Sequence, residues 1–477
     1  MSIDIFFNPK SIAVIGASRT PGKVGYNILE SLKGTFKERL YPINPLATEI
    51  ANIPTFSSVE NIPDEIDAAV IVVKADLVSK ALDECIKKKI KAITIISTGF
   101  AESGQKELEE ELKKILKGKN ARVLGPSAFG VYQPKVVDML FLSKERLKRP
   151  PEGLIGIITQ SGSVGSFILD QMGFEGIGIS KFIAYGNGMD LNETSLLDYF
   201  GRDMATRAIG LQLEYVSNVP EFIKTASKAA KIKPVVVLKS GKTKRGSEAI
   251  LAHTGVTPGP AEAYSAAFRQ AGILEAKDSE ELLDFVKVLA SQPPIRGNRI
   301  AIVTNSGSIG VSATDAAVQN GFEVPEFSKE SLKGLRNAAP DLTNIRNPID
   351  LTGAANSEWY QKAIESVAKD KTIDAVLVIS LLQAPQIDEN IVDVLRDAKI
   401  HGKPIVFCTT KSDYTIKYTR RLEGLGIPVY STPERAVKAL SVLREYGKTL
   451  PPPKVEKVEE KKPSKKSKHK KAKKKKR

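Results

Sequence analysis

Short apolar runs alternate with amphipathic stretches along nearly the whole chain, and this alternation restricts the fold more than any other feature. The apolar runs are rich in valine and isoleucine, which favours strands buried on both faces. The stretches between them have a helical period, as crossovers between parallel strands require. The pattern predicts an α/β protein built from doubly wound, parallel sheets. In the first unit we predict strands at 12–15, 40–43, 69–73, 92–96 and 122–124, and helices at 28–33, 76–89 and 104–117.

Two proline-containing segments divide the chain into three such units. Residues 144–152 contain Pro150-Pro151, and a second break falls at Pro293-Pro294. A chain of 477 residues is also too long for one hydrophobic core. We predict domains at 1–143, 153–290 and 297–447, followed by a tail at 448–477. Further strands are predicted at 154–158, 209–213 and 234–238 in the second domain, and at 299–303, 375–379 and 404–407 in the third.

The second and third units share an internal repeat. The sequence IITQSGSVG at 157–165 matches IVTNSGSIG at 302–310. Two flavodoxin-like domains from one ancestor are the simplest explanation. Each Ser-Gly-Ser loop joins a predicted strand to a helix, so the hydroxyls and backbone N–H groups of Ser161, Gly162 and Ser163 can hold an oxyanion. The alternative is helix capping with close packing.

The net charge of +16 is distributed unevenly. Residues 454–477 contain 14 Lys/Arg and three Glu, a charge of +11, which leaves about +5 for the rest of the chain. The folded part is therefore not expected to be a strongly basic nucleic-acid binder. We expect the tail to be disordered, and either simply solvated or in contact with a polyanion: an acidic partner, RNA or a membrane surface.

The remaining composition favours a globular, cytoplasmic chain. No apolar run approaches the roughly 20 residues of a membrane span, and residues 1–10 do not resemble a signal peptide. Cys85 and Cys408 lie far apart in apolar surroundings, which favours a reducing, cytoplasmic environment. No cluster of metal ligands is evident, so no metal site is predicted.

One of the three histidines has a chemically suggestive context. His253 begins the sequence His-Thr-Gly and follows a stretch at 239–246 that is rich in Lys, Arg and Gly. Neutral imidazole predominates at pH 7, because its unperturbed pKa is about 6.5. Such a side chain can attack a phosphoryl group and carry it as phosphohistidine. The alternative is a surface or helix-capping histidine.

A glycine-rich turn follows the first predicted strand and opens the first helix. Backbone N–H groups in such a turn can approach a phosphate. The dinucleotide motif G-x-G-x-x-G is absent, and the second strand ends in Asn44-Pro45 where an NAD site would have an acidic residue. A ligand such as coenzyme A is therefore favoured over NAD, and a plain tight turn is the alternative. The turn contains Gly16, Ser18, Gly22, Lys23 and Gly25.

Glu214 comes at the end of another predicted strand. Ligands in open α/β sheets bind at that edge. A carboxylate there can orient a catalytic imidazole, although any surface glutamate would fit the pattern equally well.

Several ordered motifs together resemble the α subunits of ADP-forming acyl-CoA synthetases (ADP-forming acetate–CoA ligases), which are related to succinyl-CoA synthetase. The resemblance covers about residues 5–447. It implies a CoA-binding Rossmann-like domain followed by two flavodoxin-like, succinyl-CoA-synthetase-like domains. The motifs are SIAVIGAS (11–18), YPINP (41–45), GFAE (99–102), RVLGP (122–126), TQSG (159–162), GISKF (178–182), KPVVVLKSG (233–241), HTG (253–255), AAFRQAG (266–272), AIVTN (301–305) and NPIDLTG (347–353).

The resemblance also implies a reaction, acyl-CoA + ADP + phosphate ⇌ acid + CoA + ATP, through an acyl phosphate and a phosphohistidine. His253 would carry the phosphoryl group, Glu214 would orient it, and Ser161, Gly162 and Ser163 would hold the phosphoryl oxygens. The implied contacts to CoA come from Gly16, Ser18, Gly22, Lys23, Gly25, Asn44, Pro45, Gly99 and Phe100. In this family an ATP-grasp module binds ADP or ATP with Mg. Because a lysine-rich tail follows the third domain here, we expect that module on a separate β subunit, in an α2β2 assembly.

The chain departs from the family pattern at three places. Leu46 stands where the family usually has lysine, and Ser127 stands where it usually has asparagine. Residues 256–260, VTPGP, replace a run of small residues after His-Thr-Gly. These departures motivate an alternative, a non-catalytic paralogue that binds CoA or acyl-CoA as a sensor or scaffold. A stand-alone NAD(P) oxidoreductase is a more distant alternative.

Overall fold

The first domain is a five-stranded parallel sheet with helices on both faces, as the sequence pattern predicts. The computed structural model describes residues 3–256, 258–338 and 345–451. The sheet order is β2-β1-β5-β6-β7, and a short hairpin, β3–β4, lies outside it. The strands are β1 (Ser11–Ile15), β2 (Arg39–Ile43), β3 (Glu49–Ile50), β4 (Ile53–Pro54), β5 (Ala68–Ile71), β6 (Ala92–Ile95) and β7 (Arg122–Leu124). The helices are α1 (Val24–Lys33), α2 (Ala75–Lys87) and α3 (Lys106–Leu116), with 3-10 turns at Ile3–Phe6, Val59–Asn61 and Ala101–Ser103.

The second domain is a seven-stranded sheet of order β14-β13-β12-β10-β11-β8-β9. Its strands are β8 (Gly130–Gln133), β9 (Val137–Asp138), β10 (Glu152–Thr159), β11 (Ile179–Ala184), β12 (Ala208–Leu213), β13 (Val235–Lys239) and β14 (Leu274–Ala276). Its helices are α4 (Gly162–Glu175), α5 (Glu193–Arg202), α6 (Val219–Ala230), α7 (Lys244–Thr254), α8 (Ala261–Ala271) and α9 (Ser279–Ser291).

The first two strands of this sheet come from the part of the chain that the sequence assigns to the first domain. β8 pairs antiparallel with β11, and β9 pairs antiparallel with β8. Residues 130–138 therefore extend the second sheet, whereas the sequence places a domain boundary at 143. The prolines at 150–151 mark the entry to β10, but not the point at which the chain changes sheets.

The third domain is a five-stranded parallel sheet of order β16-β15-β17-β18-β19. Its strands are β15 (Ile300–Thr304), β16 (Ile349–Asp350), β17 (Ala375–Ile379), β18 (Ile405–Cys408) and β19 (Val429–Tyr430). Its helices are α10 (Gly307–Gln319), α11 (Lys329–Ala338), α12 (Ser357–Lys369), α13 (Asn390–Ala398), α14 (Ile416–Gly424) and α15 (Pro433–Thr449), with a 3-10 turn at Lys399–His401. The predicted tail at 448–477 overlaps the end of α15, and residues 452–477 lie outside the described residues.

All three domains share one strand order. When the five parallel strands of each domain are numbered along the chain, every sheet has the order 2-1-3-4-5, which is the flavodoxin-like arrangement. The order reverses between the first and third strands, β1 and β5 in the first domain and β10 and β12 in the second. Ligands bind outside the carboxyl ends of the strands at this reversal.

The domains also pack on one another through apolar cores. One buried cluster contains residues of both the second and third domains, including Phe285 of α9 and Leu440 of α15. A second buried cluster joins Phe6 and Phe7 of the first domain to Phe200 of α5. Within the described part of the chain, no helix combines the length and apolar character needed to cross a membrane.

Candidate functional site

The strand-order reversals of the first two domains open into one cavity of about 880 Å³. Residues following β5 and β6 approach it from the first domain, and residues following β10 and β12 approach it from the second. The end of α7 covers part of it. The polar residues of its lining are Lys74, Ser97, Thr98, Glu102, Glu109, Ser127, Gln160, Ser161, Ser163, Ser166, Asn187, Glu214, Tyr215, His253 and Thr254.

His253 lies in the last turn of α7 and is exposed to solvent at this cavity. The helix is capped by Thr243, whose hydroxyl accepts from the backbone of Gly246, and it ends at Gly255 with φ +69°. α7 also contacts the 3-10 turn Ala101–Ser103 of the first domain. The imidazole is therefore accessible to a ligand held between the two domains.

Glu214 follows β12 and faces the same cavity. Burial raises the pKa of its carboxyl group, while the positive charges of His253 and Lys239 act in the opposite direction. Its backbone N–H donates to the side chain of Gln160 over 2.7 Å, which positions the end of β12 beside the end of β10. Among the described residues no hydrogen bond joins Glu214 to His253, so the two groups interact through space.

The Ser161-Gly162-Ser163 loop forms the start of α4, and the fold uses part of its hydrogen-bonding capacity internally. The hydroxyl of Ser161 accepts from the backbone of Val164 over 3.3 Å. The backbone N–H of Ser161 donates to Gln212 over 3.0 Å. The amides of Gly162 and Ser163 have no acceptor in the described structure, and first-turn amides carry the partial positive charge of the helix dipole. These two amides are the available anion donors of the loop.

The related loop of the third domain does not line this cavity in the described structure. Its Ser306 precedes α10, as Ser161 precedes α4. Gly307 lies against Asp350, and a Cβ atom there would be 2.6 Å from the Asp350 carboxylate. A nearby carboxylate makes this helix start less favourable for an anion than the start of α4.

In the first domain, two glycines of the predicted phosphate turn are required by close packing. Gly16 has φ +92°, and a Cβ atom there would lie 2.2 Å from the carbonyl oxygen of Val72. A Cβ atom at Gly25 would lie 2.2 Å from the carbonyl oxygen of Gly16. The turn therefore packs tightly on the end of β5. Gly22, with φ +84°, has open space around it.

The other predicted CoA contacts lie around this turn. Asn44 donates from its side-chain amide to the carbonyl of Ala17 over 2.8 Å and accepts from the backbone of Leu46, so it braces the turn. The hydroxyl of Ser18 accepts from the backbone of Thr20 over 3.1 Å. Lys23 precedes α1 and is exposed, and Pro45 is exposed as well.

Gly99 and Phe100 do not line the cavity in the described structure, although their neighbours Thr98 and Ala101 do, and their backbone N–H groups are already engaged. Both donate to the carboxylate of Glu102, over 2.7 Å and 3.2 Å. The Phe100 side chain is fully buried in the core of the first domain. Ser127, which has φ +58°, donates its hydroxyl to the same carboxylate over 2.6 Å.

The sequence reasoning did not assign a role to Glu102 or to Asn187. Asn187 of the second domain donates to Glu102 over 2.7 Å and to Glu109 over 2.9 Å. Burial alone would raise the pKa of Glu102, but the hydrogen bonds from Asn187, Ser127 and the two backbone amides outweigh it and lower that pKa. The only sequence signal was the position of Glu102 within the GFAE motif at 99–102.

Family models match three consecutive parts of the chain. A CoA binding domain matches residues 10–134, a succinyl-CoA ligase like flavodoxin domain matches 152–289, and a Ligase-CoA domain matches 300–441. The three matches follow the three domains in order, except that the first match runs into β8 of the second sheet. The CoA binding model includes the 16–25 turn, and the flavodoxin model includes His253, Glu214 and the start of α4.

Named relatives match along nearly the whole chain. The ADP-forming acetate–CoA ligase I subunit alpha of Pyrococcus furiosus is 37% identical over 459 residues, which cover 94% of this chain and 98% of that subunit. The ADP-forming acetate–CoA ligase of Methanocaldococcus jannaschii is 40% identical over 444 residues, 92% of this chain but 62% of that longer protein.

A solved structure has the same arrangement of all three domains. The dinucleotide-forming acetyl-coenzyme A synthetase 1 of Ca. Korarchaeum cryptofilum, in complex with phosphate and ADP, superposes with a TM-score of 0.85 at 35% identity. The match covers 94% of this chain and 97% of that one. The domain matches, the sequence identity and the shared architecture show that this chain belongs to the family of ADP-forming acetate–CoA ligases.

Proposed function

We propose that the chain is the α subunit of an NDP-forming acyl-CoA synthetase that converts acyl-CoA, ADP and phosphate reversibly into acid, CoA and ATP. The acid is acetate or a related short acid. The observation that carries this proposal is the convergence of His253, Glu214 and the start of α4 in the cavity that the CoA-binding domain also borders.

In the first step, an oxygen of inorganic phosphate attacks the thioester carbonyl carbon of acyl-CoA. The C–S bond breaks, the sulfur gains a proton to leave as the CoA thiol, and an acyl phosphate forms. The amides of Gly162 and Ser163 would hold the phosphate oxygens, because a helix start favours an anion. The 16–25 turn and Lys23 would hold the phosphates of CoA, with Asn44 keeping the turn in place.

In the second step, a ring nitrogen of His253 attacks the phosphorus of the acyl phosphate. The P–O bond to the acyl group breaks, the acid leaves as a carboxylate, and the phosphoryl group remains on the imidazole. The imidazole becomes more positive as it attacks, so a nearby carboxylate stabilises the developing charge. Glu214, which lines the same cavity and interacts electrostatically with His253, supplies that carboxylate.

In the third step, ADP receives the phosphoryl group from His253 and ATP forms. We assign ADP, ATP and the accompanying Mg to a partner β subunit that carries an ATP-grasp module, in an α2β2 assembly. The support is the match to a relative named as an alpha subunit over 98% of its length. Exposure of His253 at the end of α7 suits a group that must meet a second protein.

The alternative of a non-catalytic CoA-binding paralogue is not favoured. A sensor would need only the CoA-binding turn of the first domain. It would not require an exposed imidazole (His253), a carboxylate of raised pKa (Glu214) and the unpaired amides at the start of α4 in one cavity. All three are present, and the departures at Leu46 and Ser127 lie outside that set.

The decisive experiment is phosphorylation of the chain from radiolabelled inorganic phosphate and acetyl-CoA without ADP. We expect an acid-labile, alkali-stable label that later added ADP removes when the partner subunit is present. His253→Ala should prevent labelling, whereas the matched control His401→Ala should not. Label retained in His253→Ala, with folding confirmed by circular dichroism, would overturn the proposal.

A further inference from the structure

A second large cavity, of about 750 Å³, lies between the second and third domains. The start of β10, the end of α4 and the end of α9 border it on one side, and α14 with the 3-10 turn at Lys399–His401 borders it on the other. We call it the interdomain cleft. β10 runs from this cleft towards the cavity that His253 lines: Ile155 lines the cleft and Gln160 lines that cavity, so the nearest edges of the two sites are about 17 Å apart along the strand.

The lining of the interdomain cleft contains six cationic side chains and two carboxylates. Both carboxylates are already paired. Glu423 binds the buried Lys287 over 3.2 Å, and Glu152 binds Lys135 over 2.7 Å. Arg149, another lining residue, is paired with a buried aspartate outside the cleft. The four cations that have no carboxylate partner within the described part of the chain are Lys148, Arg207, Lys399 and Arg420.

Two of these four cations are held in place by backbone groups. Lys399 donates to the carbonyls of Leu425, over 2.8 Å, and Gly426, over 3.2 Å. Arg420 donates from Nε to the carbonyl of Phe174 over 2.8 Å. These bonds orient the charges without neutralising them. An anion would therefore meet cations whose positions are largely fixed, which reduces the entropy lost on binding.

Lys399 and Arg207 also repel each other across the cleft. The pKa of Lys399 is lowered, first by burial and then by the positive charge of Arg207. Arg207 belongs to the second domain and Lys399 to the third. A multivalent anion between them would offset the repulsion and connect the two domains.

We propose that the interdomain cleft binds a small polyphosphorylated anion through Lys148, Arg207, Lys399 and Arg420. Arginine is suited to phosphate because its planar donors engage two oxygens at once. A cavity of this size accommodates a nucleotide-sized ligand, and several phosphate groups match the four cations. The bound anion would fix the angle between the second and third domains, and it would act apart from the phosphate that reacts beside His253.

The test is calorimetric titration of the full chain with inorganic tripolyphosphate and, separately, with ATP. The double variant Arg207→Gln/Lys399→Gln should bind about 100-fold more weakly, since each of the two lost ionic contacts costs on the order of one factor of ten. The matched control Lys224→Gln/Lys228→Gln removes the same charge from exposed positions of α6 and should bind as the wild type does. Stronger binding of ATP than of tripolyphosphate would identify a nucleotide as the ligand, and equal binding would identify the phosphate chain alone.

Hydrogen exchange locates the ligand, because the catalytic cavity and the lysine-rich tail are competing sites for a polyanion. We expect protection at 173–178 and 420–426. The proposal would be overturned if protection were confined to 160–165 or to 452–477. It would also be overturned if the two double variants lost affinity for the anion equally. If Arg207→Gln/Lys399→Gln does not fold, the exposed pair Lys148→Gln/Arg207→Gln replaces it. Labelling of His253 should be unchanged in these variants, so this test fails or succeeds independently of the catalytic proposal.

Discussion

The side-chain amide of Asn187 lies 2.7 Å from the carboxylate of Glu102, and this hydrogen bond joins the second domain to the first at the wall of the cavity that His253 and Glu214 line. Glu102 accepts three further hydrogen bonds, from the hydroxyl of Ser127 and from two backbone amides. The carboxylate thus connects the two domains only while it is ionised and can accept all four hydrogen bonds.

Replacing Glu102 by glutamine should destabilise the protein by about 1–3 kcal/mol at pH 7, because an amide N–H would face hydrogen-bond donors. The folded-state pKa of Glu102 lies below its ordinary value of 4.5. Its contribution is therefore complete above that value and is lost as the pH falls through the lowered pKa. The difference between wild type and Glu102→Gln should shrink at low pH. Urea unfolding at a series of pH values from 7 down to 3 measures this difference in the free energy of unfolding, with exposed Glu107→Gln as the control.

Glu214 should give the reaction an unusual dependence on pH. Burial raises the pKa of its carboxyl group, so the reactive carboxylate should be lost at a higher pH than for an exposed glutamate. We expect phosphohistidine formation to decline on the acid side above pH 4.5, the ordinary value. Glu214→Gln should lower the rate about 100-fold and remove the part of this decline that Glu214 causes. Rapid-quench measurements of phosphohistidine formation from pH 4 to 8, in the wild type and in Glu214→Gln, would show this difference. An unaltered profile in Glu214→Gln, or the same loss in exposed Glu221→Gln, would contradict the assignment.

Lys23 should contribute to CoA affinity without contributing to the chemistry. It is exposed at the start of α1, beside the 16–25 turn, where a phosphate of CoA would lie. We expect Lys23→Gln to weaken acetyl-CoA binding about 10-fold, since one charge-assisted contact is lost. The rate at saturating acetyl-CoA should be unchanged. Calorimetry provides the affinity, and exposed Lys37→Gln is the control. If Lys23→Gln and Lys37→Gln bound acetyl-CoA with equal affinity, the phosphates of CoA would not bind beside Lys23.

Deletion of residues 452–477 should leave the reaction rate near that of the wild type. All proposed catalytic residues precede position 260, and α15 ends at Thr449. The deletion removes most of the positive charge of the chain, so it should weaken salt-sensitive binding to polyanions. Steady-state assays at low and high salt, together with heparin binding, separate the two effects. A loss of activity at both salt concentrations would show a role of the tail in the chemistry.

The sequence predicted the fold well where the strands are apolar on both faces. β1, β5, β10 and β17 all lie where the valine- and isoleucine-rich runs indicate. The prediction separated the first two domains but placed the change of sheet too late in the chain, because β8 is short and antiparallel to its neighbour. Such a strand is stabilised by pairing with β11, which lies much later in the chain. This pairing produces no recognisable pattern in the sequence of β8 itself.

The placement of candidate site residues was predictable where the sequence contains a rare residue or a special backbone conformation. His253 and Glu214 do line one cavity, and Gly16 and Gly25 occupy positions without room for a side chain. The roles of Asn187 and Glu102 were not predictable, since they depend on two side chains from different domains meeting. It was equally unpredictable that the Ser161 hydroxyl caps α4, because helix capping and phosphate binding favour the same residue type.

The sharing of residues 130–138 between domains has a consequence for how the protein is made. On the ribosome, β8 and β9 emerge directly after the first domain, yet their partner β11 is synthesised only later. Until then a nascent chain presents an unpaired strand edge, which is the kind of surface that aggregates or recruits chaperones. We expect the first two domains to become protease-resistant together rather than one after the other. Limited proteolysis of stalled chains ending at residues 150 and 290 would reveal that coupling.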